Sequence, residues 1–105
     1  MSFSFVVSYR SPGKVEILLK GKLLEKSQAL ELLEKIKEFY LENTPDIYLD
    51  LKELEYLNSS GLNVLIQILT QARNHGAEVY LQHIPQEIDK LLLITKLKSI
   101  FKIVE

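Results

Sequence analysis

The spacing of apolar residues switches repeatedly between a period of two and a period near 3.6, and each switch predicts an element. Phe3, Phe5, Val7 and Tyr9 alternate with Ser4, Val6 and Ser8, which reads as a strand with one covered face. Ser11-Pro12-Gly13 supplies turn chemistry, since Pro presets φ and Gly accepts a positive φ. Val15, Ile17 and Leu19 then alternate with Glu16, Leu18 and Lys20, so the first two strands are expected to pair as an antiparallel hairpin. From about Ser27 to Leu41 the period is helical. Ala29, Leu33, Ile36 and Tyr40, flanked by Leu32 and Phe39, make one apolar face, and Glu31, Glu34, Lys35 and Glu38 make the other. Asn43-Thr44-Pro45 ends that helix, because Pro disfavours helical backbone in the residue before it.

Ile47-Tyr48-Leu49-Asp50-Leu51 is short and largely apolar, as expected of a strand covered on both faces. Lys52–Ser60 reads as the loop after it. A second helix is predicted from about Ser60 to His75, with Leu62, Leu65, Ile66, Leu69 and Ala72 spaced three and four apart, and Val64 and Ile68 widening the stripe. Gly76 is a good terminator. A strand follows at Ala77–Leu81, a helix opens at Pro85 and runs to about Leu93, and Phe101–Val104 closes the chain as a strand. The four consecutive apolar residues Leu91, Leu92, Leu93 and Ile94 cannot share one helix face, so one of them is expected to face a partner or a second copy.

The order β-β-α-β-α-β-α-β requires crossover connections after the hairpin. A single α/β domain over residues 1–105 is expected, with a mixed, mostly parallel sheet of about five strands and helices packed on it. In such sheets, functional loops collect at the carboxyl ends of the strands, which singles out Lys52–Ser60.

Charge and composition narrow the function. Thirteen basic and 14 acidic residues are mixed along the 105-residue chain, for a net charge of −1, and this argues against a nucleic-acid surface or a polybasic membrane face. Cysteine is absent, which excludes disulfide and thiolate chemistry and allows a reducing cytoplasm, the expected location. No apolar run approaches a membrane span and no signal-peptide pattern opens the chain, so direct membrane insertion is not expected.

Catalytic chemistry finds little support. His75 and His83 sit on separate elements with no third ligand, so no metal is expected, and His75 reads as a cation beside helix carbonyls. Glu53 and Glu55 read as solvated loop carboxylates. Gly13-Lys14 and Gly21-Lys22 lack the spacing of a phosphate loop. Asp50 near the end of a central strand invites comparison with phosphoaspartate receivers, but the acidic pair those proteins need after their first strand is missing. No catalytic residue and no cofactor are expected.

Asn58-Ser59-Ser60-Gly61 opens the second helix. Taken alone, it is an N-cap worth about 1 kcal/mol. The same helix end carries a partial positive charge and unpaired N–H groups, and so can also receive a phosphoryl group. The surroundings of the turn resemble the STAS family, the anti-sigma factor antagonists and their relatives, nearly end to end. Gly21-Lys22-Leu23 is similar to the family's Gly-x-Leu entry to its first helix. The strand ending near Asp50-Leu51 leads into Asn58-Ser59-Ser60-Gly61-Leu62, where the family pattern is Asp-Ser-Ser/Thr-Gly-Leu.

The resemblance implies that Ser59 is the phosphoacceptor and that Asn58, Ser59, Ser60, Gly61, Leu62 and Asn63 form the partner-binding turn. It implies an anti-sigma factor as partner, a serine kinase of the histidine-kinase-like ATPase fold. Phosphorylation would release that partner, and a phosphatase would reset the cycle. Two positions depart from the pattern: the motif's Asp is Asn58, and the acidic residue often found after Gly-x-Leu is Leu24. Both departures leave room for a constitutive STAS scaffold in a lipid-transport ATPase complex. A third reading is an anion- or nucleotide-binding module using the same helix end. Oligomeric state is not legible.

Overall fold

The structure is a computed structural model and describes residues 2–104. Strands β1 (Phe3–Ser11) and β2 (Lys14–Leu23) form an antiparallel hairpin around Pro12-Gly13, where Gly13 adopts φ +82°. A 3-10 turn over Lys26–Ala29 leads into α1 (Leu30–Glu42). Strand β3 (Asp46–Leu57), helix α2 (Ser59–Asn74), strand β4 (Val79–Gln82) and helix α3 (Gln86–Ile94) follow. A short 3-10 turn at Lys98–Ile100 precedes β5 (Lys102–Val104). The sheet runs β1-β2-β3-β4-β5, and β2 through β5 are mutually parallel.

Strand order equal to chain order has a consequence for layering. Right-handed crossovers that all step in one direction place every helix on the same side of the sheet. Burial agrees. Val15, Ile17, Leu19, Ile47, Leu49, Leu51, Val79 and Leu81 are buried on one face beneath Leu32, Ile36, Leu65, Ile68, Leu69, Ile88 and Leu92 from the three helices. The opposite face carries half-buried Glu16, Leu18, Tyr48, Tyr80 and Gln82. There the Tyr48 and Tyr80 rings stack at 4.5 Å, and Gln82 donates to a Glu16 carboxylate that Arg10 also holds. Hydrogen bonding to Arg10 keeps the Glu16 carboxyl below its usual range. The expectation that β3 is covered on both faces is therefore corrected: helices cover one face only.

A second correction concerns Lys52–Leu57, expected as loop. These residues continue β3 and pair with Lys20–Leu23. Two register shifts against β2, between Leu18 and Lys20 and between Gly21 and Lys22, insert extra residues into β3. Such bulges break the period-two pattern while keeping the strand. The inward positions become Leu51, Leu54 and Leu57, all buried. Gly21, at φ +90°, lets the start of β1 pass close by: a Cβ there would lie 2.2 Å from the Ser2 carbonyl oxygen.

Smaller differences follow packing. Ile66 is only half-buried, because the core side of α2 is set by Leu62, Val64, Leu65, Ile68, Leu69 and Ala72. Of the four consecutive apolar residues that end α3, Leu92 is buried and Leu91 half-buried, whereas Leu93 and Ile94 remain 56% and 79% exposed. Among the described residues, no helix is long and apolar enough to cross a membrane.

Candidate functional site

The long extension of β3 carries the chain past the end of the sheet and delivers it to the start of α2. Asn58 is the N-cap, in extended conformation at φ −113° and ψ −166°. Its Oδ1 accepts the Gly61 N–H at 3.0 Å, and its backbone carbonyl accepts the Leu62 N–H at 2.9 Å. Its Nδ2 donates to the Leu24 carbonyl at 3.0 Å, across 34 residues of chain. The turn after β2 is itself held by Gln28, whose Oε1 accepts the Leu24 and Glu25 N–H groups and whose Nε2 donates to the Lys22 carbonyl. One amide side chain thus locks two turns that the sequence places far apart.

Gly61 is the contact point between them. A Cβ at this position would sit 2.5 Å from the Leu23 carbonyl oxygen and 2.9 Å from the Leu57 Cβ. The glycine is required for close approach of α2 to the ends of β2 and β3, and not for an unusual φ.

Ser59 and Ser60 occupy the first two helical positions, and both are exposed. Their hydroxyls make no hydrogen bond to another described residue. Their backbone N–H groups precede Leu62, whose N–H is the first to find a backbone acceptor at the helix start, and lie at the positive end of the helix dipole. The first turn of α2 contains no acidic residue to answer that charge. The arrangement can receive an oxyanion at Ser59 without displacing an existing partner.

Of the six residues expected in the partner-binding turn, Asn58, Ser59, Ser60 and Asn63 reach the surface. Gly61 and Leu62 are buried and shape the turn from beneath. On one side, Ser59 opens onto a shallow cleft of about 380 Å³ lined by Glu55, Tyr56, Glu87, Ile88 and Leu91. On the other, Asn58 borders a cleft with Leu24, Glu25 and Gln28. The carboxylate missing at Leu24 is present one residue later, at exposed Glu25. Sequence reading did not find Glu87 or Leu91 here, since α3 reaches the site only through folding and no local signal marks it.

The remaining singled-out residues lie elsewhere. His75 sits at the end of α2, where its Nδ1 is 2.8 Å from the Gln71 carbonyl oxygen and its ring stacks on Tyr40 at 4.7 Å. His83 contacts buried Asp50 at 3.1 Å, and the Asp50 Oδ1 also accepts the Lys52 N–H. Glu53 and Glu55 are exposed along β3.

The STAS domain model matches residues 14–105. This chain belongs to the STAS domain family. An anti-sigma-B factor antagonist of Staphylococcus aureus is 29% identical over 75 residues, 71% of this chain and 69% of its own length. The anti-sigma factor antagonist SpoIIAA in its unphosphorylated form superimposes with a TM-score of 0.75 at 15% identity, covering 97% of this chain and 88% of its own. The phosphorylated form of SpoIIAA, described as a Bacillus cell fate determinant, gives 0.74 at 16% identity, covering 97% of this chain and 92% of its own. At these identities the structural likeness establishes the STAS fold.

Proposed function

We propose that this STAS protein is an anti-sigma factor antagonist that binds its anti-sigma factor through the exposed residues of the Asn58–Asn63 turn and is switched by phosphorylation of Ser59. The observation that carries the proposal is the Ser59 hydroxyl, exposed at the first position of α2 without a hydrogen bond to another described residue, beside the N–H groups of the helix start and with no acidic residue in that turn. The named relatives support the class of partner.

The partner is a serine kinase of the histidine-kinase-like ATPase fold. Ser59 Oγ attacks the γ-phosphorus of the kinase's ATP, the bond to ADP breaks, and the hydroxyl proton passes to a base on the kinase. The product carries about −1.5 to −2 charge in the middle of the docking surface. The helix N-terminus stabilises that charge locally, while Glu55 and Glu87 across the cleft oppose it. The fold tolerates the phosphoryl group and the interface does not. Binding by the unphosphorylated protein frees the sigma factor, phosphorylation ends that binding, and a phosphatase restores the hydroxyl.

The test is phosphorylation by the cognate kinase with ATP, read by intact mass and peptide mapping. Ser59→Ala is expected to abolish the modification and Ser59→Asp to weaken the complex by tenfold or more. Full phosphorylation of Ser59→Ala would show the acceptor to be wrong. Asn58 keeps a second reading alive, because both ends of its amide are spent on structure, as suits a plain cap in a constitutive scaffold. Unchanged binding by Ser59→Asp, with co-purification of transporter subunits, would select that reading.

A further inference from the structure

The two edges of the sheet are protected very differently. β5 is three residues long and opens on the charged Lys102, which pairs with Tyr80. β1 is nine residues long and, among the described residues, pairs only with β2, which leaves its outer edge without a strand partner. Natural sheets blunt such edges with charge, proline, bulges or short length. From Ser2 to Tyr9 the strand has no charged residue and no proline, and its register is regular from Phe3 to Tyr9. The irregularity lies between Tyr9 and Ser11, at Arg10.

The regular stretch Phe3-Ser4-Phe5-Val6-Val7-Ser8-Tyr9 is nearly palindromic about Val6. Ser4 mirrors Ser8, Phe5 mirrors Val7, and Phe3 mirrors Tyr9. Hydrogen-bond parity fits the same centre. The Ser2 carbonyl accepts the Lys22 N–H at 2.9 Å, so even-numbered residues of β1 address β2. The N–H and C=O groups of Phe3, Phe5, Val7 and Tyr9 therefore point outward. An antiparallel copy related by a two-fold axis through Val6 sets Phe3 against Tyr9 and Phe5 against Val7 of the other chain. Each of those pairs can exchange both N–H···O bonds.

Side chains agree with the backbone. Val6, 48% exposed, meets its own copy at the axis, and Ser4 meets Ser8 on the same face. Tyr9, 68% exposed, receives Phe3 of the copy beside its edge contact with Phe39. Cross-strand aromatic and β-branched pairs of this kind are the favourable ones in antiparallel sheets. We propose that this edge binds a second copy of the chain, β1 to β1, giving one continuous sheet across a two-fold axis. The contact is isologous, so it closes at two copies, and the short β5 edge offers no route to a fibre. Ser59 lies beyond β3 and stays free, which makes the proposal independent of the phosphorylation switch.

Sedimentation velocity of the whole chain over a concentration series tests it. A monomer–dimer equilibrium is expected. Val6→Lys, which places like charges opposite each other at the axis, is expected to weaken the dimer at least tenfold, with a thermal melt unchanged at dilutions where both proteins are monomeric. Ser4→Lys, at another exposed position of the same edge, is expected to weaken it likewise. An equimolar mixture of Val6→Lys and Val6→Asp should dimerise more than either variant alone. A wild-type chain that stays monomeric at every soluble concentration overturns the proposal. A dimer indifferent to both lysine variants, a mixture no better than its components, or assemblies larger than two also overturn it.

Discussion

Asn58 and Leu24 are joined by a hydrogen bond from Nδ2 to the backbone carbonyl at 3.0 Å, and the same amide caps α2 through Gly61. An aspartate could supply the cap but not the donor. Asn58→Asp gains a favourable charge at the helix N-terminus, about 0.3–1 kcal/mol, and loses a bond of about 1 kcal/mol. It also sets a carboxylate against the Leu24 carbonyl. The expected result is a net loss of about 1 kcal/mol. Asn58→Ala, which removes both bonds, should lose about 2 kcal/mol. Urea midpoints of the three proteins give the order, and an Asp variant more stable than wild type would show that Asn58 is only a cap.

Gly61→Ala is a sharp probe of how closely α2 approaches the sheet. Helix propensity alone favours alanine by about 1 kcal/mol. The added Cβ would meet the Leu23 carbonyl oxygen and Leu57, neither of which is a flexible side-chain end. Overpacking should prevail, with a net loss of about 1–3 kcal/mol in chemical denaturation.

Tyr40 makes alkaline stability predictable in sign. Its hydroxyl donates to the Pro45 carbonyl at 3.0 Å, and burial, assisted by the charge of Asp46, pushes its pKa up from 10.0 to about 12. Between those values the unfolded chain has released the proton and the native chain retains it. The stabilisation is therefore complete below pH 10 and is lost as pH rises toward 12, by about 1.4 kcal/mol per unit. Tyr40→Phe should cost about 1 kcal/mol at neutral pH and show a shallower decline above pH 10. Denaturation midpoints across that range, compared between the two proteins, isolate this residue from the lysines.

The apolar run in α3 should divide sharply. Leu92→Ala is expected to cost about 2–5 kcal/mol, because that side chain is fully buried. Leu93→Ala and Ile94→Ala should stay within about 0.5 kcal/mol. Equal losses at all three positions would mean that α3 is rotated relative to the sheet.

Much was legible before folding was considered. The hairpin, the alternation of strands and helices, and the capped start of α2 are encoded in residues that are neighbours in the chain. Period two, period 3.6, Pro-Gly and Asn-Ser-Ser-Gly act through local backbone geometry, so the element order, the mostly parallel sheet and the prominence of Ser59 are legible from the chain alone. The parts that were misread depend on distant partners. Lys52–Leu57 becomes strand only because β2 offers a ladder long enough to absorb two bulges. Asn58 spans 34 residues to Leu24, and Glu87 and Leu91 reach the Ser59 cleft from another helix. Which of Leu91–Ile94 enters the core was likewise decided by the docking angle of α3. Packing also left one face of the sheet open. Local propensity acts over a few residues, whereas burial and ladder hydrogen bonds join segments whose separation in sequence carries no signal.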